Sequence, residues 1–191
     1  MLQMPVTNVS ALPTTPTKWT AMFELGRTQA AIIASLLLIF LSDPTVALKA
    51  GPMQLASQFL APHNAARTAL GLPPLVWDPR VARYAEWYAN QRRSDCELKH
   101  SNGPYGENIF WGSGDGWTPA QAVAAWVVER KWYKYGSNTC ASGQMCGHYT
   151  QIVWSSSRRL GCAKVTCLGG RGDFITCNYD PPGNYIGERP Y

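Results

Sequence analysis

Residues 162–179 read CAKVTCLGGRGDFITCNY. Two runs rich in β-branched and aromatic residues, 162–167 and 174–179, flank the turn-forming Gly169-Gly170-Arg171-Gly172, so the stretch reads as a hairpin. Alternate strand residues point to opposite faces, and Cys162 and Cys167 are an odd number apart, so the two need different partners. If the turn is centred between Gly170 and Arg171, Cys177 shares a face with Cys162 and Cys96 is left for Cys167. Cys140 and Cys146 bracket a short glycine-containing loop that they can close locally.

Upstream of the hairpin the apolar spacing is helical. Residues 54–70 carry Leu55, Phe59, Leu60, Ala66 and Leu70 on a helical repeat that stops at Gly71 before Pro73-Pro74, with Pro62 marking a kink or the true start. A second helix is expected over 78–94, capped by Asp78 with Pro79 in the first turn. Val81, Tyr84, Ala85 and Tyr88 form its core face. A third runs from the Thr118-Pro119 cap to about Tyr135, and a short one covers 147–154. Between the second and third lies a glycine-rich loop, 102–116, in which only 107–111 is dense enough for a strand. Helices first and a hairpin last give an α+β domain.

The chain has 191 residues, 46% hydrophobic and 15% charged, a composition for one globular domain with a short appendage. Seventeen Lys and Arg against 12 Asp and Glu leave a charge of +5, suited to anionic walls or membranes. No basic run exceeds two residues, which argues against nucleic acid as a partner. Six cysteines, all within 96–177 and without a CxxC pair, indicate a disulfide framework rather than metal thiolates. A bridge from Cys96 to Cys167 would stabilise by about 4 kcal/mol on chain entropy.

The N-terminus reads as a targeting segment. Residues 30–41 (AAIIASLLLIFL) would rise about 18 Å as a helix, short of the roughly 30 Å apolar core of a bilayer. Arg27 precedes the run and Thr45-Val46-Ala47 follow it, so residues 1–47 are read as an extension plus secretory signal, cleaved after Ala47 or after Ala50. Met22 is an alternative start, and a transit peptide is the rival reading. The Asn8-Val9-Ser10 sequon would be lost with the signal.

Glu129 is the lone charge among Ala122, Ala125, Trp126, Trp132 and Tyr133 on the third helix, and a carboxylate on an apolar face needs a partner to offset its desolvation. Three histidines are present, His63, His100 and His148, with no HExxH. Imidazole together with carboxylate suits Zn²⁺.

Two blocks, Gly147-His148-Tyr149-Thr150-Gln151-Ile152-Val153-Trp154 and Cys177-Asn178-Tyr179-Asp180-Pro181-Pro182-Gly183-Asn184-Tyr185, resemble the signatures of the CAP superfamily. With His63-Asn64 and Gly106-Glu107-Asn108-Ile109, the resemblance spans 55–191 as a single domain, and six cysteines make it similar to the plant pathogenesis-related proteins of type one. It implies a three-layer α-β-α sandwich with three disulfides, Cys96–Cys167, Cys140–Cys146 and Cys162–Cys177. It also implies a cleft holding His100, Glu107, Glu129 and His148, able to take Zn²⁺ though no cofactor is required, with His63-Asn64 tying helix to loop.

By the same resemblance the protein is expected to be secreted to the apoplast or cell wall, with the vacuole as a further destination, and to act in antimicrobial defence as a monomer. Its partners would be sterols or membrane lipids of pathogens, bound at Ile109, Phe110, Trp111 and Trp117. Residues 181–191, PPGNYIGERPY, resemble a defence-signalling peptide freed by cleavage between Asp180 and Pro181 and read by a cell-surface receptor. The protein is not expected to be an enzyme; a metal-dependent hydrolase using the His/Glu cleft is the alternative. Within the resemblance there is no room for the cysteine-rich module of the animal relatives. Arg171-Gly172-Asp173 matches an integrin-type tripeptide, read here as turn chemistry.

Overall fold

The computed structural model describes residues 51–191, so the signal segment, the start at Met22 and both cleavage positions lie outside the described residues. Helix α1, Pro52–Thr68, continues unbroken past Pro62, where the sequence suggested a kink or a start. It ends as expected at Gly71, whose φ of 70° lets Leu72 N–H donate to Arg67 O at 3.1 Å. Strand β1 is only Val76–Trp77, too short to leave a periodic signal. Helix α2, Pro79–Arg92, starts where Asp78 Oδ1 accepts from the Arg80 and Val81 amides at 2.7 and 3.4 Å.

Strand β2 is Gly106–Gly112, and helix α3, Pro119–Val127, opens on a reciprocal capping box between Thr118 and Gln121. Helix α3 does not reach Tyr135: it tightens into a 3₁₀ turn, Val128–Trp132, and passes into β3, Tyr133–Lys134, which pairs with β4, Thr139–Cys140. The β-branched Val127-Val128 pair weakens the helix at that point, and the tighter turn carries Glu129 inward while Ala125, expected on the same face, is exposed. Helix α4, Gly147–Ile152, precedes strands β5, Arg159–Thr166, and β6, Asp173–Asp180.

The main sheet has the order β1-β5-β6-β2, with β1 parallel to β5 and the other pairs antiparallel. Cys162 lies directly opposite Cys177, which centres the turn between Gly169 and Gly170, earlier than expected. The slip moves every partner by two residues, so facing is preserved and the cysteine logic survives it. One core fills the space between the sheet and α1, α3 and α4, around Phe59, Trp126, Tyr149, Leu160 and Tyr179. A second lies between the sheet and α2, around Ala85, Tyr88, Ile109 and Phe174. This is the α-β-α sandwich. Gly161 permits the close approach of α2, since a Cβ there would stand 2.0 Å from the Ala82 backbone nitrogen.

The disulfides are Cys96–Cys167, Cys140–Cys146 and Cys162–Cys177, with sequence separations of 71, 6 and 15. Chain entropy ranks their worth at about 4, 2 and 3 kcal/mol in that order. The bridge between Cys96, just beyond α2, and Cys167, at the end of β5, therefore contributes most to holding α2 against the sheet.

Candidate functional site: two histidine–glutamate pairs and a docked tail

Glu129 leaves the 3₁₀ turn pointing at the N-terminus of α4. Its Oε1 accepts from His148 Nδ1 at 2.7 Å, and Oε2 accepts from the backbone N–H groups of His148 and Tyr149 at 3.0 and 3.2 Å. The cost of burying this carboxylate is thus offset by three donors. Trp126 stacks on the His148 ring, with centroids 6.0 Å apart, and fixes its plane.

Glu107, on β2, makes the second pair. Its Oε1 accepts from His100 Nδ1 at 2.8 Å and from the Ser101 amide at 2.9 Å, while Oε2 accepts from Asn178 Nδ2 at 3.2 Å. Burial pushes the Glu107 carboxyl up, but the bonds from His100, Ser101 and Asn178 outweigh it and hold the group below its ordinary range. The hydrogen bond to that carboxylate raises the pKa of His100.

Glu107 and Asn108 are consecutive strand residues, so their side chains leave opposite faces of the sheet. Asn108 Nδ2 reaches the His148 carbonyl at 3.0 Å, the backbone of the first pair. Among the described residues no group of three or more His, Cys, Asp or Glu is gathered to hold a metal ion. Each histidine nevertheless has Nδ1 fixed by a carboxylate and, among the described residues, no protein partner at Nε2. That is the second-sphere arrangement of a zinc-binding imidazole, so the donor chemistry fits two nitrogen ligands.

His63 lies behind this region and is fully buried. Its Nδ1–H donates to Phe59 O at 2.8 Å, and its Nε2 accepts from the Tyr179 hydroxyl at 2.7 Å, which in turn accepts from Asn108 Nδ2 at 3.1 Å. Burial lowers the His63 pKa to about 4 and keeps the ring neutral. Asn64 donates to Leu75 O and accepts from Leu75 N, at 3.0 and 2.8 Å, tying α1 to the loop before β1.

The aromatic residues do not form one surface. Strand alternation sends Ile109 into the α2-side core, whereas Phe110 turns to the other face and packs edge-on against Trp117 with centroids 5.1 Å apart. Trp111 is 40% exposed and donates its Nε1–H to Arg171 O at 3.0 Å. Trp117 sits beside a cavity of about 280 Å³ lined also by Ser113, Asp115, Gly116 and Gln121. Asp173 sets this loop by accepting from the Gly116 and Trp117 amides at 3.0 and 2.9 Å. Being buried and also bonded to Lys164 and Thr166, it leaves the Arg171-Gly172-Asp173 tripeptide without a carboxylate to offer.

Residues 181–191 form no strand, and they pack over α4 and the β3–β4 ribbon. Ser157 Oγ donates to Pro181 O at 2.8 Å, the Gly183 amide to Gln151 Oε1 at 3.1 Å, and the Ser155 amide to Pro190 O at 2.6 Å. Asp180, at the end of β6, is ion-paired with Arg159 at 2.7 Å.

Sequence reasoning missed Arg67. It is fully buried and donates to four backbone carbonyls, Pro73, Ile152, Trp154 and Ser157, at 2.8 to 3.1 Å. Desolvation lowers its pKa to about 10. This clamp sets the turn after α4 on which the tail rests.

The model of the CAP family, described as the cysteine-rich secretory protein family, matches residues 60–179. Pathogenesis-related protein PR-1 of Medicago truncatula is 67% identical over 135 residues, covering 71% of this chain and 78% of that relative. Pathogenesis-related protein 1A of Nicotiana tabacum is 57% identical over 133 residues, covering 70% and 79%. Among solved structures, that of NaASP2 with Zn²⁺ is similar at a TM-score of 0.59 and 27% identity, covering 71% of this chain and 83% of that one.

Proposed function

The chain belongs to the CAP family, among the plant pathogenesis-related proteins of type one, and on that premise we propose that it is a secreted defence protein that binds sterols or other membrane lipids of pathogens. The observation that carries the lipid reading is the half-buried Trp117, which lines the cavity beside α3 and packs edge-on against the half-buried Phe110. An indole at a recess, backed by a second ring, offers apolar area that a rigid ring system can cover. A volume of about 280 Å³ is too small to enclose a sterol, so the ligand lies across the mouth with one end in the recess. Equilibrium sterol binding by the oxidised protein, with Phe110→Ala and Trp117→Ala compared with Trp111→Ala, tests this. Three disulfides favour an oxidising destination outside the cell.

A second reading, that the protein is a precursor of a peptide of residues 181–191, is favoured by the way the tail is held. Its contacts are hydrogen bonds and ring packing outside the sheet, so its removal unpairs no strand. Proteolysis of the Asp180–Pro181 bond, followed by a defence-response assay of the freed peptide, tests it.

If Zn²⁺ is held, as in the solved structure of NaASP2 with Zn²⁺, His100 and His148 would supply Nε2 while Glu107 and Glu129 orient the rings. The metal would supply Lewis acidity there. Both oxygens of each glutamate already accept hydrogen bonds, so neither carboxylate is free as a general base, and binding is favoured over hydrolysis.

A further inference from the structure

We propose that the Cys140–Cys146 disulfide is a redox-modification site, reduced by a protein dithiol, and that its reduction loosens residues 181–191 so that the bond after Asp180 can be cut; this rests on the precursor reading above. The first argument is selectivity. Cys96, Cys167, Cys162, Cys177 and Cys146 are all buried, and Cys140 alone is partly exposed. The Cys140–Cys146 bridge also closes the shortest loop, with a separation of 6 against 15 and 71, so opening it returns the least entropy to the chain. It can be reduced while the other two hold the sandwich together.

The second argument is where the tail is anchored. At one end Asn184 Nδ2 donates to Gly147 O at 2.8 Å, and Asn184 Oδ1 accepts from Thr150 Oγ1 at 2.7 Å, both on α4. At the other, Asn138 Nδ2 donates to Glu188 O at 3.0 Å, Arg189 donates to the Tyr135 and Gly136 carbonyls, and Tyr135 stacks on Tyr191 with centroids 4.8 Å apart. Cys146 is the residue before α4, and Cys140 ends the ribbon that carries Tyr135 to Asn138. The disulfide thus joins the two pieces that the tail bridges.

The third argument is the packing between them. A cavity of about 310 Å³ lies under the tail, lined by both cysteines together with Tyr133, Trp154, Tyr185 and Pro190. The tail therefore crosses a gap between its anchors, with Pro190 buried and Tyr191 packed against the core at its far end, and loss of the covalent tie gives the ribbon room to move. A protease must take an extended segment on both sides of the bond it cuts, and beyond Asp180 that segment is the docked tail.

The chemistry balances. A thiolate of the dithiol attacks Cys140 Sγ, the S–S bond breaks, and the Cys146 thiolate leaves and takes a proton. The second thiol of the reductant then displaces the Cys140 thiolate, which is protonated in turn. Two electrons pass from dithiol to disulfide, giving two protein thiols and an oxidised reductant.

The experiment treats the purified oxidised protein with thioredoxin, without denaturant, and traps thiols as they appear. Labelling of Cys140 and Cys146 before the other four is expected; simultaneous labelling of all six overturns the proposal. On the selectively reduced protein, hydrogen exchange of the 183–191 amides and release of 181–191 by an endoprotease that accepts proline after the cut are then measured. Both should rise, release by on the order of ten-fold, and unchanged rates overturn the proposal. The Cys140→Ser, Cys146→Ser double variant should match the reduced protein, and the trapped native form gives the answer if the variant does not fold. Release equally fast from the oxidised protein sinks the switch and leaves the precursor reading intact. A loosened tail whose freed peptide provokes no defence response sinks the precursor reading and leaves the switch.

Discussion

His148 meets Glu129 at two places at once: its ring Nδ1 lies 2.7 Å from one carboxylate oxygen and its backbone nitrogen 3.0 Å from the other. The glutamate therefore orients the imidazole and also satisfies the first amides of α4, which ties the 3₁₀ turn to that helix.

Glu129→Gln keeps the shape but gives up the charge in these bonds. A loss of about 2 kcal/mol in urea unfolding is expected, with the far-ultraviolet spectrum unchanged. Stability equal to that of the parent would mean that the pair does not hold α4 in place.

The buried His63 should make the protein acid-sensitive. Its pKa falls to about 4 on folding from 6.5, so between those values the unfolded chain holds the extra proton and stability rises with pH. Below pH 4 the full cost is about 3 kcal/mol, and above pH 6.5 it is zero. The other pair has two limbs. Glu107, lowered, contributes stability that is present above 4.5 and lost as pH falls through its folded value, and His100, raised, contributes stability that is present below 6.5 and lost as pH rises through its folded value. Urea unfolding from pH 4 to 8 should show less acid slope in His63→Gln and a lower mid-range plateau in Glu107→Gln. Parallel curves for all three proteins would contradict this assignment.

Arg67→Lys should cost about 3 kcal/mol, because an ammonium cannot reach four carbonyls that a guanidinium fork spans. The check is thermal and urea unfolding, with hydrogen exchange of 153–158 reporting local loosening. A loss within the range of ordinary surface substitutions would mean that the clamp is dispensable.

Gly161→Ala places a methyl group against the Ala82 backbone, where no side chain can yield. Helix α2 must lift from the sheet, and a loss of several kcal/mol or a failure to fold is expected. Normal yield and an unchanged melting temperature would contradict the close contact.

The legible parts of the fold were those with local causes. Asp78-Pro79 and Thr118-Pro119 marked helix starts because a cap and a preset φ act within three residues. Glu129 stood out because helical spacing put one charge among apolar neighbours, and its partner proved to be the half-buried His148. The hairpin register was less readable, since glycines that adopt positive φ at 169 and 170 allow more than one turn, but facing repeats every second residue and so protected the disulfide argument. Arg67 left no signal because its partners are carbonyls, three of them 85 to 90 residues away, and any residue type can supply those. That Phe110 and Trp111 part company follows from alternation, but which of them turns to Trp117 depends on tertiary packing.

The most direct measurement of the lipid-binding account is equilibrium sterol binding by oxidised residues 48–191, with and without chelator. The account predicts saturable binding that is indifferent to chelator, weakened at least about ten-fold by Trp117→Ala or Phe110→Ala, and little changed by Trp111→Ala. No saturable binding, or full binding by a Trp117→Ala protein of normal stability, would contradict it.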